Sequence, residues 1–295
     1  MTHVATLIAA SGALDPSAVE RTRGALPAAG APQQLGPDAV DIPFSAERAS
    51  DQRALAENIH KLVGGGIDVV VQPAANRCKK LFLADMDSTM IGQECIDELA
   101  DYVGLKAHVA AITERAMRGE IAFEPALRDR VALLKGLPAS TIGEVITNRI
   151  TLTPGATTLI ATMRANGAYT CMVSGGFTLF TQPIAAQIGF DENRANTLAL
   201  DGNKLAGNVS EPIFGRDDKR KTLIGLRARL KLSHDNTLAI GDGANDIDMI
   251  AEAGLGVAYH AKPKVAEAAA ARIDYADLTA LLYVQGYRRE QFVAA

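Results

Sequence analysis

Tryptophan is absent from the 295-residue chain, aromatic residues make up only 5% of it, and it has only three cysteines. Cys78, Cys95 and Cys171 are far apart and form no Cys-x-x-Cys pair, which argues against a disulfide framework or a zinc site. No apolar run approaches the roughly 20 residues that cross a bilayer. No lysine or arginine precedes Arg21, so the apolar start is predicted to be a strand and not a secretory signal. The protein is therefore expected to be cytoplasmic.

The charges are few and balanced. Thirty lysine and arginine residues face 34 aspartate and glutamate residues, giving a net charge of −4. This balance predicts neither a nucleic-acid surface nor a polybasic membrane anchor, so the expected partner is a small molecule. It leaves open whether two copies form a homodimer. The five histidines lack metal-ligand spacing and are interpreted as structural or solvated: His3, His60, His108, His234 and His260.

Residues 1–78 form one predicted unit with the order β-α-β-α-β. Its strands are "HVATLIAA", "DAVDIPF" and "IDVVVQP", and its helices are "DPSAVERTRGAL" and "SDQRALAENIHKLV". The unit resembles the small α/β modules called ACT domains. A boundary is predicted near "PAANRCKK", and residues 79–295 form the second unit. Because all the motifs described below lie downstream, residues 1–75 are expected to be dispensable for the rest.

The second unit begins with a strand and continues with a helical insertion over about residues 94–150. "ECIDELADYVGL" and "FEPALRDRVALLKGL" carry apolar residues at helical spacing. Strands and helices then alternate, which predicts a parallel sheet covered on both faces. The first helix of that part is expected to have Thr153 as N-cap and Pro154 at its first position. "ANTLALDGNKLAGNV" predicts a hairpin that turns at Asp201 and Gly202.

Polar clusters follow three predicted strands. Asp85 and Asp87 follow "KKLFLA", Ser174 follows "AYTCMV", and "GDGAND" follows "NTLAI". In parallel sheets ligands bind beyond the carboxyl ends of the strands, so the three clusters are expected to meet. The acids of "GDGANDIDM" must repel one another unless a cation lies among them. Taken singly, the first two clusters could be capped or tight turns.

Four motifs occur in a characteristic order: "DMDST", "VSGGF", the lysine of "KRKTL", and "GDGAND". In this they resemble the phosphatases of the haloacid dehalogenase superfamily, and within it the phosphoserine phosphatases, over about residues 79–285. The resemblance implies an α/β fold, with a Rossmann-like parallel-sheet core and an inserted helical cap.

The resemblance also implies the catalytic residues. Asp85 would be the nucleophile that forms an aspartyl-phosphate, and Asp87 would protonate the leaving oxygen and then activate water. Ser174 and the Gly175 N–H would hold phosphoryl oxygens, since glycine allows close approach of the backbone. Lys221 would bind the phosphoryl group and neutralise charge. A solvated helix face is the alternative interpretation of Lys221.

A Mg²⁺ site is the implied cofactor site. Mg²⁺ takes oxygen ligands in octahedral geometry and keeps some waters. The expected ligands are Asp85, Asp242 and the main-chain carbonyl of Asp87, with Asp246 close by, either as a further ligand or as a carboxylate behind the ligands.

The implied substrate site involves the insertion. Glu94, Met117, Phe123 and Arg130 match the substrate-contacting pattern of the family, and Asn245 is expected to join them. Arg130 would bind a carboxylate with two hydrogen bonds, and Glu94 would bind an ammonium group. The residues alone also allow a helix N-terminal acid for Glu94, a surface ion pair for Arg130, and plain core positions for Met117 and Phe123.

The expected function is Mg²⁺-dependent hydrolysis of O-phospho-L-serine to L-serine and phosphate, the last step of L-serine biosynthesis. One alternative is a related phosphatase or phosphotransferase acting on another small phosphomonoester or passing the group to another alcohol, such as homoserine. The other is a serine sensor with no turnover.

Overall fold

The computed structural model describes residues 1–46 and 51–294. An antiparallel sheet organises the first 73 residues, in the strand order β2-β3-β1-β4. Its elements are β1 (His3–Ala9), α1 (Pro16–Ala25), β2 (Gln33–Gly36), β3 (Ala39–Phe44), α2 (Gln52–Val63) and β4 (Ile67–Pro73). The order is thus β-α-β-β-α-β, and β2 is an addition to the predicted order. The predicted start of α2 at Ser50 lies outside the described residues.

The two helices of this part begin at capped positions. The Asp15 side chain accepts a hydrogen bond from the Ser17 N–H, and Pro16 occupies the first turn of α1. At α2 the Asp51 side chain accepts from the Ala54 N–H. Both contacts satisfy backbone donors that a helix start leaves free.

A six-stranded parallel sheet organises the rest of the chain, in the order β12-β11-β10-β5-β6-β7. This confirms the predicted α/β class with a parallel sheet. In chain order, the elements from the first strand of this sheet to its edge strand β7 are β5 (Leu81–Ala84), α3 (Cys95–Asp101), α4 (Lys106–Met117), α5 (Phe123–Ala132), α6 (Ser140–Asn148), α7 (Ala156–Ala165), β6 (Tyr169–Phe177), α8 (Thr178–Ile188) and β7 (Glu192–Asn196). The remaining elements are β8 (Leu198–Asp201), β9 (Lys204–Val209), α9 (Arg216–Arg229), β10 (Thr237–Gly241), α10 (Ile247–Glu252), β11 (Leu255–Tyr259), α11 (Pro263–Ala268), β12 (Ala271–Ile273) and α12 (Ala280–Val284).

Helices α3–α6 lie between β5 and β6 in the chain and are called the cap below. The apolar spacing of "FEPALRDRVALLKGL" places Leu127, Val131 and Leu134 on one face, and all three are buried, although Leu134 lies just beyond the end of α5. The spacing of "ECIDELADYVGL" predicts that Val103 shares the apolar face of the first cap helix with Leu99, and this was wrong, because α3 ends at Asp101 and Val103 beyond it is 37% exposed.

One predicted helix start and one predicted turn are shifted along the chain. Helix α7 begins at Ala156, and its N-cap is Gly155 with φ +82°, so the assignment of Thr153 and Pro154 to the helix start was wrong. Gly155 suits this left-handed conformation, and a Cβ there would lie 2.8 Å from Thr279. In the β8–β9 hairpin Asp201 pairs with Lys204, which makes Gly202 and Asn203 the loop residues. The turn therefore lies one position later than predicted.

The N-terminal sheet packs on the end of the chain. Ile8, Leu35 and Val70 belong to the same apolar cluster as Leu281 and Tyr283. One face of the N-terminal sheet therefore shares an apolar core with the second part, whereas the other face packs with α1 and α2 in a cluster of its own.

Polar contacts reinforce this shared core. The Arg77 guanidinium pairs with Asp41 at 2.6 Å and donates to the Val284 carbonyl. The buried Asp68 carboxylate accepts the N–H groups of Asp274 and Ala276, at 2.7 and 2.8 Å. Within residues 1–46 and 51–294, no helix is both long enough and apolar enough to span a membrane.

Candidate active site

The carboxyl ends of three adjacent strands bring the predicted clusters together. Strand β5 lies between β10 and β6 in the sheet. Asp85 directly follows β5, Asp242 directly follows β10, and Ser174 lies near the end of β6. The Asp85 N–H donates to the Ile240 carbonyl at 3.1 Å, which ties the first two ends to each other. Parallel topology thus produces the expected meeting point.

Three buried carboxylates form a cluster at this edge. Asp85, Asp242 and Asp246 each offer an oxygen within 4.8 Å of the others. Gly241 makes room for the third acid, because a Cβ there would lie 2.3 Å from the Asp246 carboxyl carbon. The Thr89 hydroxyl donates to Asp242 at 3.1 Å, a contact that the sequence did not predict.

The cation of this cluster is Lys219. Its ammonium nitrogen lies 2.8 Å from Asp85 Oδ1 and 2.7 Å from Asp246 Oδ1, and its side chain is completely buried. The assignment of this role to Lys221 was wrong. Lys221 is 64% exposed and pairs with Asp217 at 2.6 Å on the outer face of α9.

The geometry of α9 explains why the buried lysine is Lys219 and not Lys221. On α9 the buried residues are Lys219, Thr222, Leu223 and Leu226, which are spaced at three, four and seven positions from the lysine. This spacing defines one helix face, whereas a residue two positions further on points almost the opposite way. The signal was present in the sequence, because counting back from Leu223 and Leu226 leads to Lys219.

The electrostatics of the cluster call for a further cation. Burial, and then the neighbouring Asp246 carboxylate, raise the pKa of Asp85 well above its usual range, although Lys219 opposes the shift. The same two causes raise the pKa of Asp242 to about 7. Burial alone would lower the pKa of Lys219, but Asp246 and Asp85 raise it above its ordinary value.

Counted as ionised groups, three carboxylates and one ammonium leave two negative charges uncompensated. Buried oxygen ligands with that charge fit a divalent, oxygen-seeking ion such as Mg²⁺. The main-chain carbonyl of Asp87 stays a predicted ligand.

Asp87 is held by hydrogen bonds at both oxygens. Oδ1 accepts from the Cys95 N–H at 2.8 Å, and Oδ2 accepts from the Ser174 hydroxyl at 3.0 Å. The Ser174 oxygen in turn accepts from the Gly176 N–H at 2.8 Å. The "DMDST" turn places Asp87 beside "VSGGF", with Ser88 at φ +54°. Asp87 is only partly buried and lines the pocket described below.

A pocket opens from the acid cluster toward the cap. Its lining comprises Asp85, Asp87, Glu94, Cys95, Ile96, Met117, Phe123, Leu127, Arg130, Gly175, Gly176, Phe177 and Asn245. The structure therefore brings together all the residues predicted for the substrate site except Lys221, with Ser174 directly behind the lining.

The two charged cap-side residues have well-defined surroundings. Glu94 Oε1 accepts from the Ser88 hydroxyl at 2.7 Å, and the Glu94 side chain makes no capping bond to α3. Its burial, and then the Asp87 carboxylate, raise the pKa of Glu94 well above its usual range. Arg130 is only 2% exposed, so the surface ion pair considered as its alternative is wrong. The Glu94 carboxyl group and the Arg130 guanidinium thus line the same pocket.

The apolar and amide residues complete the wall. Phe123 approaches the "SGG" backbone so closely that a Cβ on Gly175 would lie 2.7 Å from its ring. Met117 packs in a small cap cluster that Phe123 borders, so both residues are core and pocket wall at once. Asn245 Oδ1 is buried and has no hydrogen-bond partner among the described residues. Such an unmet amide is a group that a ligand or water would satisfy.

Comparison with known proteins gives a consistent picture. The family model described as haloacid dehalogenase-like hydrolase matches residues 82–251. A phosphoserine phosphatase from Polaromonas sp. (strain JS666) is 46% identical over 208 residues, which are 69% of this chain and 88% of the relative. A HAD-family hydrolase from Salmonella enterica serovar Typhi superposes with a TM-score of 0.83 at 30% identity, over 96% of this chain and 98% of that one. A phosphoserine phosphatase solved as an analogue of its phospho-aspartyl intermediate superposes with a TM-score of 0.67 at 39% identity, over 70% of this chain and 98% of that one.

Proposed function

The chain belongs to the haloacid dehalogenase-like hydrolase family, and from that premise we propose that it hydrolyses O-phospho-L-serine to L-serine and phosphate. One observation carries the choice of substrate. Besides Asp85 and Asp87, the pocket is lined by one further acid, Glu94, and by one buried guanidinium, Arg130. These are the complements of the ammonium and carboxylate groups of an amino acid. The reaction is the last step of L-serine biosynthesis.

In the first step, an Asp85 oxygen attacks phosphorus and the bond from phosphorus to the serine oxygen breaks. Asp87 donates a proton to the departing oxygen, which leaves as the serine hydroxyl. The hydrogen bonds from Cys95 and Ser174 hold Asp87 in place for this transfer. Asp85 carries the phosphoryl group after this step.

In the second step, Asp87 takes a proton from water as that water attacks phosphorus. The bond between phosphorus and the Asp85 oxygen breaks, phosphate leaves, and both acids return to their first state. Charge on the phosphoryl oxygens is met by Lys219 and by N–H groups of the "SGG" segment near the end of β6. Met117 and Phe123 form an apolar wall of the pocket beside the reacting groups.

A Mg²⁺ ion fits the acid cluster and would be held by Asp85, Asp242 and the main-chain carbonyl of Asp87, with Asp246 behind them. When bound, it supplies neutralising charge to the phosphoryl group. Asp246 accepts hydrogen bonds from Lys219 and from the Gly243 N–H, so its part is to orient the other groups.

The two predicted units have separate tasks in this proposal. Residues 79–295 carry the chemistry, with the cap at about residues 94–150. Residues 1–78 support the fold, because the N-terminal sheet covers Leu281 and Tyr283.

The test is phosphate release from a panel of phosphomonoesters, with and without Mg²⁺. The panel contains phosphoserine, phosphothreonine and p-nitrophenyl phosphate, and a parallel series adds homoserine as acceptor. We expect phosphoserine to have the highest specificity constant and free phosphate to be the product. A dominant phosphohomoserine product would indicate a phosphotransferase, and serine binding without turnover would indicate a sensor.

A further inference from the structure

Arg130 is oriented by a neighbouring helix of the cap. Its Nε donates to the Ala126 carbonyl at 2.9 Å, one turn back on α5. Its Nη1 donates to the Thr113 hydroxyl on α4 at 2.8 Å. Among the described residues, Nη2 has no hydrogen-bond partner. The guanidinium is therefore fixed at two nitrogens, with the third left for a ligand in the pocket.

The Thr113 hydroxyl also forms a hydrogen bond with a residue on a third helix, α3. Because its oxygen accepts from Arg130, its single hydrogen must be donated elsewhere. The oxygen lies 2.7 Å from Asp97 Oδ1 on α3 and 3.1 Å from the Val109 carbonyl, so the shorter contact leads to the carboxylate. Thr113 is 2% exposed, and water therefore does not compete for these bonds.

Asp97 stabilises the positive charge through the hydroxyl. Within the part of the chain that the structure describes, no Arg130 nitrogen lies within 4.0 Å of an Asp97 oxygen. A guanidinium, a hydroxyl and a carboxylate thus form a chain from α5 through α4 to α3.

We propose that Thr113 and Asp97 are positioning residues that hold the Arg130 guanidinium ready for the carboxylate of the substrate. The inference rests on the proposed function, because it assumes a substrate that carries a carboxylate. Asp97 on α3 and Thr113 on α4 belong neither to the pocket lining nor to the four motifs. The proposal nevertheless gives them a part in substrate selection. Since Arg130 is not among the reacting groups, losing its orientation should weaken binding and leave the chemical step intact.

The experiment compares Thr113→Val, Thr113→Ser and a matched control, Thr22→Val, at saturating Mg²⁺. Thr22 is also a buried helical threonine, and its hydroxyl donates to the carbonyl four residues back, far from the pocket. For Thr113→Val we expect KM for phosphoserine to rise about tenfold, the effect of removing one hydrogen bond from a charged group, with kcat nearly unchanged. Thr113→Ser should restore KM, and p-nitrophenyl phosphate should be hydrolysed equally by all variants.

Asp97→Asn is the second variant, for the case that valine at position 113 disturbs the fold. An amide oxygen can still accept from Thr113 but carries no charge, so KM for phosphoserine should rise about threefold. If the wild type is active and KM is unchanged in Thr113→Val or Asp97→Asn, the inference is overturned but the proposed function is not. Parallel losses on both substrates would also overturn it, in favour of a purely structural role. Wild type that hydrolyses only the aryl ester would overturn the proposed function as well.

Discussion

The ammonium nitrogen of Lys219 lies 2.8 Å from Oδ1 of Asp85, and the two side chains are only 0% and 5% exposed. A second contact of 2.7 Å joins the same nitrogen to Asp246. In such a dry environment a carboxylate stays ionised only beside a fixed positive charge. Lys219 therefore belongs to the conditions under which Asp85 can act as a nucleophile.

The first prediction compares the two lysines of α9. Lys219→Met removes the buried cation and should lower kcat/KM for phosphoserine by at least about 10²-fold, since one electrostatic contact at the reacting group is worth that much. Lys221→Met removes an exposed pair with Asp217 and should change activity less than about twofold. Steady-state kinetics on both variants check this. Equal losses, or a larger loss at Lys221, would contradict our assignment.

These lysines also mark a limit of sequence motifs. The motif predicts that a lysine of "KRKTL" is needed, but its first and third residues are both lysines, and the motif alone does not choose between them. Helix phase decides between them, because only Lys219 shares a face with Leu223 and Leu226. Asp85, Ser174 and Asp242 lie at or near the ends of predicted strands, and for them the sequence was sufficient to predict their position in the fold.

The missed strands have a different cause. β7 reads "ENRAN" and β2 reads "QQLG", so neither has the apolar alternation that predicts a strand. Both lie at sheet edges, where one side pairs with a strand and the other is free. Their pairing is determined by the neighbouring strand and not by their own composition, and a single sequence contains little information about it.

The second prediction concerns the metal. Chelation by EDTA should abolish activity and Mg²⁺ should restore it, because the acid cluster carries uncompensated negative charge. Asp242→Asn should behave like metal-free protein, and titration calorimetry should show weakened Mg²⁺ binding independently of turnover. Full activity after exhaustive chelation would contradict this account of the cluster.

The third prediction separates substrate binding from chemistry. Arg130→Ala and Glu94→Gln should lower kcat/KM for phosphoserine by about 10- to 150-fold, as a lost contact of about 1.5–3 kcal/mol with a charged group implies. Activity on p-nitrophenyl phosphate, which has neither ammonium nor carboxylate, should fall much less. If both substrates lose activity in parallel, the two residues support the fold or the catalytic step.

The fourth prediction concerns the shared core. The sequence predicts that residues 1–75 can be removed, whereas the burial of Ile8 and Val70 in one apolar cluster with Tyr283 leads to the opposite expectation. Asp68→Ala leaves the N–H groups of Asp274 and Ala276 without their acceptor and should lower the free energy of unfolding by about 2–4 kcal/mol.

Denaturant unfolding of the full chain measures that change. Glu20→Ala, which removes an exposed ion pair with Arg23, serves as control and should change the stability by less than about 0.5 kcal/mol. If Asp68→Ala, or a chain lacking residues 1–75, has the same free energy of unfolding as the wild type, the N-terminal sheet does not stabilise the rest of the protein.

The central claim is that Asp85 takes the phosphoryl group from phosphoserine, and the most direct measurement is to trap that intermediate. Protein mixed with phosphoserine labelled in the phosphoryl group is quenched in acid, digested and sequenced by mass spectrometry. We expect label on the peptide containing "DMDST", at Asp85, and none in Asp85→Asn, which should also lack turnover. Label at another residue, or turnover by Asp85→Asn, would contradict the account.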